Sequence, residues 1–395
     1  MTKKRKDNKE KILYYIFVNK KATRNELTKF LNISKMGVSK LVTNLIERKL
    51  IFEDEVVEKN SVGKKERYLK INREIIKNIL TIYFGLDKVV LSLMDVDGNE
   101  KKGFNLLVEE NISILKATKK IIRDILSENE VMLISIGMNG IVDSEKGIAK
   151  ISTYYHWKNI NLKEIFEEEF GISVFLENGV NMIAYSQIEE HQNESFAILN
   201  IENGVGSTIV RYDREKNQIN LETKEIGHIP FDFSENSLIC VCGNKGCVET
   251  IMANWRIEEK IKKNYGLDLT YEEILKKANK NEKMFRKEIM DMITPLSSLI
   301  LWLDILGGVE KIIITGKITY LEDFFWKELR RVIKNNLLIK EKEIELIKGE
   351  YSENIILKGA LRYGIDNFIN SKYFKSIMKE SEKVEKKPKY STNNN

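Results

Sequence analysis

Every cysteine of this chain lies in one short run: Cys240, Cys242 and Cys247 stand within eight residues, and His228, one of only three histidines, lies twelve residues upstream of the first. Three thiols cannot all pair as disulfides. Three thiolates and one imidazole, by contrast, complete a tetrahedral zinc shell. Gly243 and Gly246, between the second and third sulfur, allow the tight backbone turns that a closed site with metal–sulfur bonds of about 2.3 Å requires. The competing reading is three unrelated buried thiols, each a small apolar core residue. Clustering beside an imidazole favours one zinc ion held by His228, Cys240, Cys242 and Cys247.

The same stretch carries a longer pattern. Glu225-Ile226-Gly227-His228 is followed by Cys240-x-Cys242-Gly243-x-x-Gly246-Cys247-x-Glu249, which resembles in residue type, order and spacing the signature of the ROK family of repressors, open reading frames and sugar kinases. The likeness extends more weakly over residues 81–370. It implies a two-lobed, actin-like or hexokinase-type fold with a sugar between the lobes. In that family zinc pins a loop against the sugar pocket, and the positions matching Asn178, Glu225, His228 and Glu249 contact sugar hydroxyls. A structural role in shaping the zinc loop is an equal alternative for Glu249, which opens the helix after Cys247. Lys224 and Asn139 stand where the family usually has glycine and proline.

Phosphoryl transfer needs a glycine-rich turn that aims backbone N–H groups at phosphate, a carboxylate for magnesium and a base for the attacking hydroxyl. Each of these departs from the family pattern. The first phosphate loop, Asp-x-Gly-Gly-Thr-Lys in the family, is here Tyr83-x-Gly85-Leu86-Asp87-Lys88, and the second begins with Glu202 in Glu202-Asn203-Gly204-Val205-Gly206-Ser207-Thr208. A late Gly-Gly becomes Gly316-Lys317. The Glu-Asn-Asp triplet whose aspartate deprotonates the sugar is Glu177-Asn178-Gly179, and glycine takes no proton. Loss of a general base alone costs about 10²- to 10⁴-fold. The expectation is therefore no catalytic residue and no kinase turnover.

A larger framework must hold these residues. At 395 residues, with 42% hydrophobic and 31% charged content, the chain reads as a soluble protein of two or three domains. No uncharged apolar run reaches the roughly 18 residues of a membrane span, and the lysine-rich start lacks a signal-peptide core. Cytoplasmic residence is expected, with no membrane partner, and there thiols stay reduced. The net charge of +6 is unevenly placed: residues 1–75 hold 20 Lys and Arg against 10 Asp and Glu, and the remainder 45 against 49. The basic excess is thus confined to the first segment, which suits contact with a polyanion.

That segment parses as three helices and a hairpin. Ile12, Leu13, Ile16 and Phe17 give a first helix one apolar face, and Thr23 with Glu26 starts a second as a capping box. After a turn over 32–34, Val38, Leu41, Val42, Leu45 and Ile46 follow helical spacing and leave Lys35, Met36, Ser39, Lys40 and Asn44 outward. Extended stretches flank a loop at Gly63-Lys64-Lys65, the pattern of a wing. A winged helix-turn-helix would place Met36, Ser39 and Lys40 near base edges behind the helix start at Lys35, with Arg48, Lys64 and Lys65 on phosphates. A generic three-helix fold with a cationic face is the alternative.

From residue 81 strands (82–84, 89–94, 131–138, 174–177, 196–201, 207–212, 311–315) alternate with helices (111–127, 162–169, 181–190, 248–265, 283–306, 323–335, 354–369), an α/β architecture. The expected domains are a winged helix over 1–75, a kinase-like domain over 76–375 with lobes at about 80–195 plus 355–375 and 196–354, and a disordered tail over 376–395. The expected function is a DNA-binding regulator, a repressor of carbohydrate genes, acting as a homodimer or higher homo-oligomer on a double-stranded operator and answering to a sugar or sugar phosphate. An active sugar kinase and an effector-independent regulator governed by a protein partner stay open.

Overall fold

The computed structural model describes residues 8–56, 66–72, 77–86, 88–108, 113–152, 154–191, 193–213, 218–337, 343–350, 352–369 and 371. Lys64, Lys65, Asp87 and the tail expected over 376–395 lie outside them. The chain opens with α1 (Asn8–Val18), α2 (Arg24–Leu31) and α3 (Lys35–Glu47). The capping box forms: Thr23 Oγ1 accepts from the Glu26 N–H at 3.2 Å, and the Glu26 carboxylate accepts from the Thr23 N–H at 2.7 Å. Asn32 ends α2 in the left-handed region at φ 52°, and the Ser34 hydroxyl caps α3 by accepting from the Gly37 N–H at 3.1 Å. Val38, Val42 and Leu45 are buried and join Ile12, Leu13 and Ile16 in one core. Strands β1 (Ile51–Val56) and β2 (Arg67–Ile71) then pair antiparallel, Ile51 opposite Ile71, completing a winged helix.

Two five-stranded sheets follow, built to one plan. In the first, β3 (Asn78–Phe84), β4 (Lys88–Met94) and β5 (Glu100–Leu107) form an antiparallel meander. After α4 (Ile114–Glu128), β6 (Val131–Met138) lies parallel to β3. A small sheet of β7 (Ile141–Asp143), β8 (Ile148–Ser152) and β9 (Trp157–Asn161), then α5 (Leu162–Phe170), lead to β10 (Ser173–Asn178), parallel to β6. The order is β10-β6-β3-β4-β5. Helix α6 (Gly179–Gln187) crosses to the second sheet, where β11 (Phe196–Ile201), β12 (Val205–Asp213) and β13 (Gln218–Lys224) repeat the meander.

A helical insertion separates that meander from its parallel strands: α7 (Glu249–Met252), α8 (Asn254–Tyr265), α9 (Tyr271–Asn279), α10 (Lys283–Met290) and α11 (Ile293–Ile305). Strand β14 (Lys311–Thr315) then pairs with β11 and, after α12 (Asp323–Asn336), β15 (Glu345–Lys348) pairs with β14, giving β13-β12-β11-β14-β15. The parallel strands β6 and β14 are almost wholly buried apolar runs, as strands covered on both faces must be. The expected helix over 248–265 is broken at Ala253, whose extended backbone lets the Asn254 N–H reach the Glu202 carbonyl at 2.9 Å. The expected helix over 283–306 is likewise divided between α10 and α11.

Helix α13 (Glu353–Ile369) returns to the first sheet and packs on β3, β6, β10 and α6. It crosses α6 at Gly359, where an added Cβ would stand 1.7 Å from the Met182 carbonyl oxygen, so only glycine permits the approach. Leu357, Leu361 and Ile365 of α13 share a core with Ile12 and Ile16 of α1. The winged helix is thereby packed directly on the first lobe.

Candidate functional site

The cysteine loop leaves β13 through a 3₁₀ turn, Ile226–His228, and is folded on itself before α7. Phe231 and Asp232 both donate N–H groups to the Gly246 carbonyl, and Gly246 donates to Leu238. Gly243 and Gly246 take φ of 91° and 69°, and a Cβ on Gly246 would stand 1.8 Å from the Asp232 carbonyl oxygen. These turns bring the ligand atoms of His228, Cys240, Cys242 and Cys247 within 4.8 Å of one another. Cys242 and Cys247 sulfurs are 3.7 Å apart, and the Cys240 sulfur is 3.4 Å from His228 Nδ1. Two sulfurs each about 2.3 Å from one tetrahedral ion stand about 3.8 Å apart, whereas a disulfide would need about 2.05 Å. The quartet therefore fits a metal ion and not a disulfide. Burial pushes the Cys240 and Cys247 thiols above their ordinary pKa; a bound dication reverses that preference.

The four hydroxyl-binding candidates are not equally available. Asn178 is engaged at both ends, its carbonyl accepting from the Val180 N–H at 2.8 Å to cap α6 and its amide donating to the Gly140 carbonyl at 2.8 Å. Glu249 is 9% exposed; it accepts from the Val205 N–H at 3.0 Å and lies 3.6 Å from the Cys240 sulfur. It thus ties the metal loop to the β11–β12 turn. His228 belongs to the metal quartet. Glu225 is exposed; its backbone carbonyl accepts from the His228 N–H at 3.1 Å, while its carboxylate bonds no described residue. Sequence reading passed over Asn181, which is buried on α6 and exchanges hydrogen bonds with Thr223 of β13 at 2.9 and 3.1 Å. That amide links the helix capped by Asn178 to the strand end that precedes Glu225, joining the two lobes.

The altered kinase positions touch one another. The Tyr83 hydroxyl donates to Asn139 Oδ1 at 3.2 Å, and a Cβ on Gly179 would stand 3.1 Å from that same oxygen and 3.6 Å from the Tyr83 ring. An aspartate there would press a carboxylate toward an amide oxygen. Glu202 is anchored between the Gly316-Lys317 turn and the start of α8: its carboxylate accepts from the Lys317 N–H and from the Asn254 side-chain amide at 3.1 Å. An internal carboxylate thus occupies the backbone donor of the Gly316-Lys317 turn. Gly179→Asp is expected to leave hexose phosphorylation at background in a coupled assay, because the Glu202 carboxylate would still occupy the Lys317 N–H.

On the winged helix, Lys35, Met36, Ser39 and Lys40 are all exposed along the start of α3, Met36 to 78%. Asn44 is half-buried. Arg48 corrects the sequence reading: it is 8% exposed beyond the end of α3, where its guanidinium is not presented to a phosphate. Arg24, which opens α2, is half-buried. The Arg24 guanidinium bonds Glu53 of β1 at 2.7 Å and reaches Ser39 of α3 at 3.5 Å, bridging the reading helix and the wing.

The chain is 23% identical over 364 residues to the xylose repressor of Caldicellulosiruptor bescii, covering 85% of this chain and 89% of that one. It is 25% identical over 323 residues to the DNA-binding transcriptional dual regulator NagC of Escherichia coli, covering 75% and 77%. A solved ROK family transcriptional regulator, a homologue of the Escherichia coli MLC protein, superposes with a TM-score of 0.76 at 19% identity, over 94% of this chain and all of that one. A ROK glucokinase of Streptomyces griseus in complex with glucose and AMPPNP superposes at 0.61 with 17% identity, over 73% of this chain and 99% of that one. The ROK family sequence profile matches residues 79–363, and with the cysteine loop and duplicated sheets it shows that this chain belongs to the ROK family.

Proposed function

We propose that this protein is a cytoplasmic DNA-binding transcriptional regulator of carbohydrate genes, a repressor acting as a homodimer, whose ROK domain binds zinc and senses a sugar or sugar phosphate without phosphorylating it. The observation that carries the reading is the contact among Tyr83, Asn139 and Gly179, at the position where the family resemblance expects a kinase base, in a chain whose third helix exposes Lys35, Met36, Ser39 and Lys40. Relatives named for repression and for DNA binding support it. Zinc is preferred for the quartet because thiolates and imidazole in tetrahedral array suit it best. Among the described residues no helix is long and apolar enough to cross a membrane.

Genome-wide DNA binding by the intact protein tests the reading, with recovered inverted repeats then titrated in the presence of D-xylose, D-glucose and N-acetylglucosamine. Sites beside sugar-utilisation genes, released by one of these sugars, are expected. Steady hexose phosphorylation by the pure protein, lost on mutation of Glu225, would instead establish the kinase alternative. For the wing, Lys64→Ala is expected to weaken binding alike on all sequences and to lower the salt slope by about one unit. An unchanged slope excludes Lys64 from the interface.

A further inference from the structure

One buried amide ties the first lobe to the strand that leads to Glu225. Asn181, in the first turn of α6, is 6% exposed. Its Nδ2 donates to Glu177 Oε1 at 3.0 Å and to the Thr223 hydroxyl at 2.9 Å, and its Oδ1 accepts from that hydroxyl at 3.1 Å. Glu177 Oε1 also accepts from the Asn178 N–H at 2.7 Å, so a carboxylate oxygen that can only accept fixes which end of the amide is nitrogen. Helix α6 is seated closely on the second sheet at the same place: a Cβ on Gly206 of β12 would stand 2.8 Å from Val180 Cγ2.

Beyond Thr223 the backbone is held at each step to Glu225. The Lys224 carbonyl accepts from the Ser207 hydroxyl at 3.1 Å, and the Glu225 carbonyl accepts from the His228 N–H at 3.1 Å. His228 in turn belongs to the metal quartet. The exposed Glu225 carboxylate, which bonds no described residue, therefore stands on a backbone braced upstream by the first lobe and downstream by the metal loop. An acceptor already fixed in place costs a polar ligand less ordering on binding.

We infer that Asn181 is a positioning residue: through Thr223 it sets where the Glu225 carboxylate stands relative to the first lobe, so that a sugar hydroxyl meets an acceptor held by both lobes. The inference rests on the sugar-responsive reading above. It gives the first lobe a share in sugar recognition without a contact to the sugar. The share is the strength of one neutral hydrogen bond, a factor of about 2 to 12 in affinity.

The test uses the full-length, zinc-loaded protein with Thr223→Val, which removes the hydroxyl and keeps the branched shape, Thr223→Ser, which returns it, and Asn181→Ala. Hydrogen exchange at the His228 amide and NMR titration with D-xylose, D-glucose and N-acetylglucosamine are the readouts. In Thr223→Val and Asn181→Ala that amide is expected to exchange about fivefold faster, and sugar affinity to fall about 2- to 12-fold. Thr223→Ser should restore both. Loosened packing would weaken sugar binding whatever stands at 225, whereas positioning acts through that carboxylate alone. Added to Glu225→Ala, Thr223→Val should therefore lower affinity by less than about twofold. Wild-type exchange in Thr223→Val overturns the inference, as does an equal loss of sugar affinity with and without Glu225→Ala, and both leave the sugar reading standing. If the wild type takes up no sugar but exchange quickens in Thr223→Val and recovers in Thr223→Ser, the brace on Glu225 stands and the sugar reading falls. If Asn181→Ala does not fold, the Thr223 pair decides.

Discussion

Cys242→Ser is expected to strip stoichiometric zinc from the protein and to lower its thermal midpoint by roughly 8–16 °C. Cys242 is the exposed member of the quartet, so replacing sulfur by oxygen there disturbs little packing and isolates the metal contribution. Metal bound only by the folded state adds its binding free energy to folding. A thousandfold loss of affinity corresponds to about 4 kcal/mol, and each kcal/mol shifts the midpoint by about 2–4 °C in a domain of this size. Without the ion, His228, Cys240 and Cys247 remain crowded in a loop whose folding back on the core through Glu249 and Val205 the metal supports. Metal analysis after chelator dialysis, paired with thermal unfolding, checks both statements. A wild-type protein that retains no zinc, or a variant that melts like wild type, removes the metal from the account of stability.

Glu225→Ala is expected to abolish the response to sugar while leaving sugar-free operator affinity within about twofold, since exposed surface changes rarely disturb folding. Among the four acceptors, Asn178 and Glu249 are committed to backbone groups and His228 to the metal quartet. Glu225 alone is exposed with an open carboxylate. Hydrogen bonds to a charged group contribute about 1.5–3 kcal/mol, so its loss should weaken sugar binding by about 10- to 150-fold. Coupling between sugar and operator, ordinarily about 5- to 150-fold, should then approach one. Reciprocity requires operator DNA to alter sugar affinity by the same factor in the wild type and not in the variant. Fluorescence anisotropy on labelled operator with and without each sugar measures this. Loss of DNA binding in Glu225→Ala would assign the residue to scaffolding.

Much of the local structure was legible in the chain because its causes are local. The Thr23–Glu26 box and the apolar stripe of α3 depend on residues three or four apart, and each forms as read. The metal quartet spans a short loop whose two positive-φ glycines dictate its turns, so type and spacing sufficed to assemble it. Strand β5, EKKGFNLL, escaped notice because an edge strand is defined by its partner β4 and carries an almost wholly exposed polar pattern. Helix α9 was missed, and the helix read as continuous over 248–265 is broken where the Asn254 N–H serves a tertiary partner, the Glu202 carbonyl.

By itself the amino-acid sequence determined a winged helix, an α/β domain with a loop of three cysteines and a histidine, and a glycine at 179 where the family resemblance expects an aspartate. Only the tertiary structure decided that Arg48 is buried while Arg24 pairs with Glu53, that Tyr83, Asn139 and Gly179 fill one another's space, and that Asn178 and Glu249 are already hydrogen-bonded. It alone packed Leu357, Leu361 and Ile365 of α13 against Ile12 and Ile16 of α1. Helical stripes, caps and ligand spacing are written within a few residues. Which polar atom is free and which is spent depends on groups that folding brings together from distant parts of the chain, and no periodicity records that.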